Sequence, residues 1–536
     1  MKSESGLVTN EGARKLLTTG IGIALAAGGV PAAQASTYTV TSLLDDGSAG
    51  TLRDAINQAD VDPLPPATVQ FQAGLSGTIM LNGTQIAITA LNGPVTVQGP
   101  GAANITIDAN HASRVFYVAP ETVTDVTISG LTLTNGNVSS DGGAIRSLGA
   151  NFTLQDSVIE NSSTTNSGGG VFAGIGGAAN VAIMLANVTL SGNTARDGGG
   201  ARLEPGTGGT GVVENCVISG NTATTGWGGG LYLKRGATSV IASQVVDNHA
   251  LANEAGGIEA YFTNFTITDS KVSGNTAGTG NAGGLYVSHS SLQMARTFVG
   301  GNTANNGGGG MALNKNFYNG ALGATIQDST FSNNIAAGSR GGGGILALYN
   351  SKTNITLTNV TIYGNSSGGW GGGLYSETGY AVGANYSGVL TIESSTIIGN
   401  SGAVGGGIAN SSKANAMVVH NTIVANDTAS IADNDVHGSF TANFDLILDP
   451  GAATLNGGTG NITGVDPQLG PLAVNGGPTQ TMLPAIGSPV IDAGDNTGAP
   501  STDQRGLPRP VNGVTDIGAV ERQNPEDVIF RDGFGP

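Results

Sequence analysis

Gly192-Asn193-Thr194-Ala195-Arg196-Asp197-Gly198-Gly199-Gly200-Ala201-Arg202-Leu203 is followed one unit later by Gly220-Asn221-Thr222-Ala223-Thr224-Thr225-Gly226-Trp227-Gly228-Gly229-Gly230-Leu231-Tyr232-Leu233. The same arrangement, a glycine run and then one apolar residue, returns about every 30 residues along the middle of the chain. Aligned on those runs, the next residue is Ile145, Val171, Ala201, Leu231, Ile258, Leu285, Met311, Ile345, Leu374 or Ile408, and every one is apolar. A second column lies upstream, where an asparagine closes a short β-branched stretch at Asn161, Asn193, Asn221, Asn248, Asn275, Asn302, Asn334, Asn365, Asn400 and Asn426. Two phased columns with strand-like segments and no helical period define a solenoid, whose units bury their apolar faces only against neighbouring units.

Each unit is expected to hold three short strands. Glycine, aspartate or asparagine precedes most column asparagines, as at Gly192, Asp247 and Asn333, and marks a bend at positive φ; Ala425 is the exception. The asparagines are expected to stack as a hydrogen-bonded ladder with a structural role.

The 536 residues include 90 glycines but no Gly-X-Y period, which excludes collagen. Aromatic residues supply only 5% against 39% hydrophobic, so the core must be thin layers of Val, Ile, Leu and Ala. Arg14 and Lys15, the apolar segment Leu16 to Ala27 and Ala33-Gln34-Ala35 read as a secretory signal peptide over 1–35. That apolar segment is too short to span a bilayer, and no later segment qualifies, so no transmembrane segment is expected after signal removal. Cleavage after Ala35 takes the net charge from −17 to −18, which argues against nucleic acid and anionic membrane surfaces as partners. Cys216 is the one cysteine and reads as a small buried hydrophobe, so packing alone must hold the exported chain.

Thr37 to Leu43 alternates as a strand, and Leu52, Ala55, Ile56 and Ala59 share one helical face. This helix is expected to cap the first rung. Residues 36–100 are therefore read as cap and first rungs, 101–440 as the regular repeats, 441–522 as a separate C-terminal region and 523–536 as a tail.

The array resembles the right-handed parallel β-helix of pectin-lyase-like proteins, and Gly142-Gly143-Ala144-Ile145 with Phe331-Ser332-Asn333-Asn334 resembles the motifs of polymorphic outer membrane protein repeats. Further on, Asp466-Pro467-Gln468-Leu469-Gly470, Asn475-Gly476-Gly477-Pro478-Thr479-Gln480-Thr481, Gly487-Ser488-Pro489-Val490-Ile491-Asp492-Ala493-Gly494, Thr502-Asp503-Gln504-Arg505-Gly506 and Asp516-Ile517-Gly518-Ala519-Val520-Glu521 resemble the choice-of-anchor Q region of secreted bacterial β-helix proteins. Val528 to Phe534 looks like a terminal motif of some Gram-negative secreted proteins. The resemblance implies an all-β fold, a right-handed parallel β-helix solenoid with an N-terminal capping helix and a C-terminal cap or anchor-like region. It also implies a secreted or cell-surface, outer membrane-associated bacterial protein.

Strand alternation places the residue after each inward position on the outer face. Arg202, Tyr232, Glu259 and Tyr286 then form one strip, with Glu204, Lys234 and Tyr261 beside it. Aromatic rings between charged hydrogen-bonding groups suit sugars, which offer C–H faces and hydroxyl edges together. The competing structural reading has the tyrosines covering the sheet and Glu204 pairing with Lys234. Trp227 and Trp370, each just before a Gly-Gly-Gly-Leu-Tyr sequence, read as packing residues over the turns.

Chemistry is less well marked. The acid–base candidates are Asp247, Glu254 and Glu259 with Lys234, Arg235 and His249, spread over loops and faces. Neither a Gly-His-Gly element, a calcium roll, a Cys/His zinc pattern nor a nucleotide-binding glycine loop is present, and Asp433-Asn434-Asp435 lacks further ligand spacing. No metal and no cofactor are assigned. The expected function is adhesive or glycan-binding and non-catalytic, with a polysaccharide lyase or related depolymerase as the alternative and a structural surface spacer as the second.

Overall fold

The computed structural model describes residues 36–90, 92–175, 180–314, 323–349, 354–378, 388–411 and 416–523. The signal segment 1–35 and the terminal motif within the tail lie outside the described residues.

One regular rung consists of Ala237–Ile241, Gln244–Val246, His249–Ala250 and Ile258–Tyr261, after which the chain begins the next turn. Stacking these pieces gives four parallel sheets, here called sheets 1 to 4 in chain order, with 16, 15, 11 and 13 strands among the described residues. Neighbours keep register from rung to rung, as in Val240 opposite Ile267, Val245 opposite Val272 and Leu231 opposite Ile258. The coil is a right-handed parallel β-solenoid, the hand that parallel crossovers adopt. A rung thus has four strands, where the sequence pattern suggested three. The extra one is the short piece of sheet 3, two residues such as Thr194–Ala195 or His249–Ala250 in most rungs and too short to show a period.

The apolar column after the glycine runs points inward as expected, from Ile145 to Ile408, each residue at most 1% exposed. The glycines themselves answer to a close backbone approach. A Cβ on Gly199 would lie 2.4 Å from the Gly229 carbonyl oxygen and 2.5 Å from the Thr222 nitrogen, and one on Gly229 would lie 2.5 Å from the His249 carbonyl carbon. Sheet 3 of the following rung passes directly beside the run, and no side chain fits between the two backbones.

From Asn193 to Asn400 the column asparagines are fully buried and form the expected ladder. From Asn221 onward each Oδ1 accepts from the backbone N–H and the Nδ2 of the asparagine one rung earlier, at 2.9–3.1 Å. The preceding residues take the bend, with φ of 62° at Gly192, 55° at Asp247 and 54° at Asn333. Both ends of the column need correction. Asn161 and Asn426 have φ of 52° and 55° and are bend residues, and the ladder positions beside them hold Ser162 and Asp427. This also accounts for Ala425, which precedes a bend residue.

The capping helix is Leu52–Asp60, with Thr51 as N-cap accepting from the Asp54 N–H. Leu52, Ala55, Ile56 and Ala59 plug the first rung, and Asp60 accepts from the N–H groups of Thr89 and Ala90 at 2.8 and 2.6 Å. At the other end, strands of sheets 1 and 2 continue past residue 440 to Ile462–Thr463. Residues 466–521 then fold back along the outer face of sheet 2. Met482, Val490 and Ile517 cover Ile398, Ile423, Ala425 and Leu446, while Gln504 accepts from the Thr361 hydroxyl at 2.6 Å. Inside this strap Asp503 pairs with Arg505 at 2.7 Å and accepts from the Glu521 N–H at 3.1 Å. The polar residues of the C-terminal blocks are thus its internal hydrogen-bonding frame.

Candidate functional site on sheet 4

Register brings the predicted strip together. Phe172, Arg202, Tyr232, Glu259 and Tyr286 stand opposite one another on consecutive strands of sheet 4, and Tyr261 stands opposite Lys234 and Ser288. The first column of the strip faces outward but is not open to solvent. Tyr232, Glu259 and Tyr286 are 6%, 3% and 7% exposed, because the loops joining sheet 3 to sheet 4 fold over the first outward column. Trp227 leans on Tyr232 with ring centroids 6.2 Å apart and donates from Nε1 to Glu254 at 3.0 Å. Further along, Ala255, Ala282, Ala312, Leu346, Tyr375 and Ala409 join Tyr286 in a second, small apolar cluster, against which Trp370 packs.

Arg202 is the hinge between the covered and open columns. Its guanidinium lies 4.9 Å from the Tyr232 ring centroid and 5.7 Å from that of Phe172, donates to Glu204 and Ser167 at 3.0 Å, and stands 3.8 Å from buried Asp197. Glu204 is shared by three cations, since Lys234 and Arg235 approach its other oxygen at 3.5 and 3.1 Å. The structural reading of the Glu204–Lys234 pair is therefore correct, but it leaves an excess of positive charge around one carboxylate in a strongly acidic protein.

Glu259 carries the strongest perturbation of the site. Burial pushes its carboxyl well above the usual range, with Glu254 and Asp197 adding in the same direction, and its Oε2 has no hydrogen-bond partner. Tyr232 and Tyr286 are also raised, chiefly by burial. A neutral glutamic acid between two neutral tyrosines is the form the site favours.

The open part of the site is the second column and the bend beyond it. Arg235, Phe262 and His289 occupy the same bend in successive rungs, with φ of 65°, 53° and 52°, so their side chains gather at the sheet edge. Tyr261 meets Phe262 edge-on at 4.4 Å, and Phe262 stacks on His289 at 4.7 Å. Burial lowers the His289 pKa, which favours its neutral ring. Lys234, Tyr261, Phe262 and His289 are half-buried and Arg235 is exposed. Phe262 and His289 escaped the sequence reading because they follow the strand rather than alternate along it.

The acid–base candidates do not converge as one group. Asp247 makes the bend from sheet 2 to sheet 3 and His249 opens the sheet 3 strand, whereas Lys234 and Glu259 belong to sheet 4 and Arg235 to the bend that follows it. Asp433 is bonded to His437, and no cluster of three or more His, Cys, Asp or Glu suited to a metal occurs among the described residues. Cys216 is buried, with burial pushing its thiol up to about 11.

A family model described as "Right handed beta helix region" matches residues 116–303, which span the solenoid through this site. No curated protein matches the chain. Among solved structures, a crystal structure of pectate lyase Pel9A is similar at 14% identity and a TM-score of 0.36, over 91% of this chain and 96% of that one. The strand order and the matched family region together make this chain an all-β right-handed parallel β-solenoid.

Proposed function

We propose that this chain is an exported bacterial surface or extracellular protein that holds an acidic polysaccharide on the outer face of sheet 4 without cleaving it. The observation that carries the reading is the patch formed by Lys234, Arg235, Tyr261, Phe262 and His289, which sets cations beside aromatic faces at the rim of a sheet. Carboxylate-bearing sugars match both features, through ion pairing and through C–H contact with the rings. The overall negative charge confines anion binding to this local excess of cations. Retention of the protein on polygalacturonate is expected to fall at least tenfold in Lys234→Ala/Arg235→Ala, with no new unsaturated or reducing ends from the parent protein. Unchanged retention in that variant would dismiss the patch.

A depolymerase is the second reading, and Glu259 favours it. A carboxyl that burial holds well above its usual range, opposite a tyrosine on either side, is the kind of perturbed group that active sites contain. Chain shortening that disappears in Glu259→Gln would replace the adhesive reading with this one.

A further inference from the structure

The fold covers two of its outer faces with its own chain. Loops lie over the first column of sheet 4, and residues 466–521 lie over the later rungs of sheet 2. The outer face of sheet 1 is left half-buried or exposed along most of its described length, from Thr37 to Asn456. Its central column stays in register as Thr37, Thr68, Thr96, Thr127 and Thr153, interrupted later by Met184 and Val212 before it resumes at Ser239 and Thr266. Beside it runs a second column with Gln70, Gln98 and Gln155.

β-propensity accounts for threonine on a solvated strand face but not for the glutamines beside it, nor for the scarcity of charge. The protein has 37 acidic residues, yet in these first rungs the outer face carries only Asp125, at its margin. Hydroxyls and carboxamides both donate and accept, so an array of them pairs with groups of the same kind rather than with ions.

In the resumed part of the array the face becomes concave. A groove of about 430 Å³ runs between Thr266, Gln293 and Thr325 on one side and Thr268 and Gln327 on the other. It exists because Ala295 stands in register between Thr268 and Gln327, so the second column shrinks to a methyl group for one rung. Arg296 closes the rim, held by two bonds to Asp269 at 2.6 and 2.7 Å, and the two charges neutralise each other. The volume lies within the range of about 300–1,000 Å³ of small-ligand sites.

We propose that the outer face of sheet 1, centred on this groove, binds a neutral polysaccharide whose chain lies along the solenoid axis. Rungs repeat at about 4.8 Å, so sugar units along such a chain meet a threonine or glutamine at each rung of the groove, from Thr266 and Thr268 through Gln293 to Thr325 and Gln327. Charge complementarity selects the occupant. Among the described residues of the face the cations are paired, Arg296 with Asp269 and His420 with Glu393, and the net charge of −17 repels polyanions from it. It is separate in place and in ligand chemistry from the patch at Lys234 and Arg235.

The test is retention of the signal-free protein on insoluble cellulose and its retardation in gels containing a soluble neutral β-glucan, with polygalacturonate run in parallel. Gln293→Glu/Thr325→Glu puts charge on two exposed outward positions and is expected to lower binding to a neutral polymer at least tenfold, while Lys234→Ala/Arg235→Ala leaves it intact. Thermal melting checks that both variants fold, and Thr266→Ala/Gln327→Ala replaces the first if it does not. Absence of binding to either neutral polymer, or equal binding by the variants on sheet 1, overturns the proposal. Binding to polygalacturonate alone, lost in Lys234→Ala/Arg235→Ala, overturns it while leaving the reading of sheet 4 in place.

Discussion

The middle of the solenoid and its C-terminal end follow the same backbone path, yet they complete their buried ladders with different groups. In the middle, Asn275 accepts through Oδ1 from Asn248 and donates through Nδ2 to the Val245 carbonyl and to Asn302. At the end, Asp427 accepts from Asn400 through Oδ1 in the same way, but its Oδ2 stands where the amide nitrogen stood and has no partner. The second ladder, at the corner between sheets 1 and 2, repeats the contrast. Hydroxyls of Ser243 and Ser270 accept from the preceding rung in the middle, whereas Asp445 accepts from the Thr422 N–H at the end and keeps an unpartnered Oδ2. An amide extends a ladder indefinitely because it gives as well as takes. A buried carboxyl does so only while it holds its proton.

The outer faces differ in parallel. In the middle rungs sheet 2 shows Gln244 and Lys271 to solvent, while in the last rungs it shows Ile398, Ile423 and Leu446 to the strap. The middle is thus held by repetition alone, and the end by a second layer of chain.

The comparison predicts that a charge in the middle core has the largest effect. Leu231→Asp places a carboxylate among buried Ala201 and Ile258, with a cost of about 5 kcal/mol or more, and is expected to abolish the cooperative melting transition seen by circular dichroism. A normal melt would break the assigned register. Asn275→Asp carries the end's chemistry into the middle. It removes donors to Val245, Ser273 and Asn302 and should cost about 3–5 kcal/mol in denaturant unfolding, less at acidic pH where the new group is protonated.

Next in size is the strap. The Gln504 amide is buried and donates to the hydroxyls of Thr330 and Thr479, both at 2.9 Å. Gln504→Ala leaves those groups short of partners, at a cost of about 1–3 kcal/mol. Hydrogen exchange should speed up in residues 466–521 and remain unchanged near Asn221. Equal acceleration in both would mean that the end is not a separately held layer.

Much of this was legible in the chain, for physical reasons that also mark the limit. The inward column and the ladder repeat because every rung meets identical neighbours, so one sequence period reports both. At the ends that identity lapses, and an asparagine that serves the bend, as Asn161 and Asn426 do, takes the appearance of a ladder residue. Alternation correctly placed Tyr232, Glu259 and Tyr286 on the outer side of sheet 4. It carried no information on the loops that cover them, because those loops have no period. Ala312, Leu346 and Ala409 in the same column were the available signal, since small and apolar residues there imply a cover. The change from Gln244 and Lys271 to Ile398 and Ile423 likewise announces the strap.

The smallest expected effect separates the two regions by pH. Burial holds Asp427 and Asp445 well above the usual carboxylate range and raises Asp435, whose Oδ1 accepts from the Asp427 N–H, to about 6. The folded end therefore binds more protons than the unfolded chain, and its stability falls as pH rises. The loss begins near pH 4, where these groups ionise in the unfolded chain, proceeds through about 6 for Asp435, and continues higher for the other two. The raised His420, paired with Glu393, acts in the same direction, its contribution fading as pH rises through its folded value. Asp427→Asn restores the ladder's amide and should stabilise the end by about 1 kcal/mol at pH 8, with little change at pH 4. Exchange of the amides from Asn400 to Thr463 would then slow in the variant at pH 8, while those of the Asn221 to Asn302 rungs keep their rates. A gain of equal size at both pH values would show that Asp427 is already ionised in the folded protein, and the contrast between an amide-built middle and a proton-dependent end would be lost.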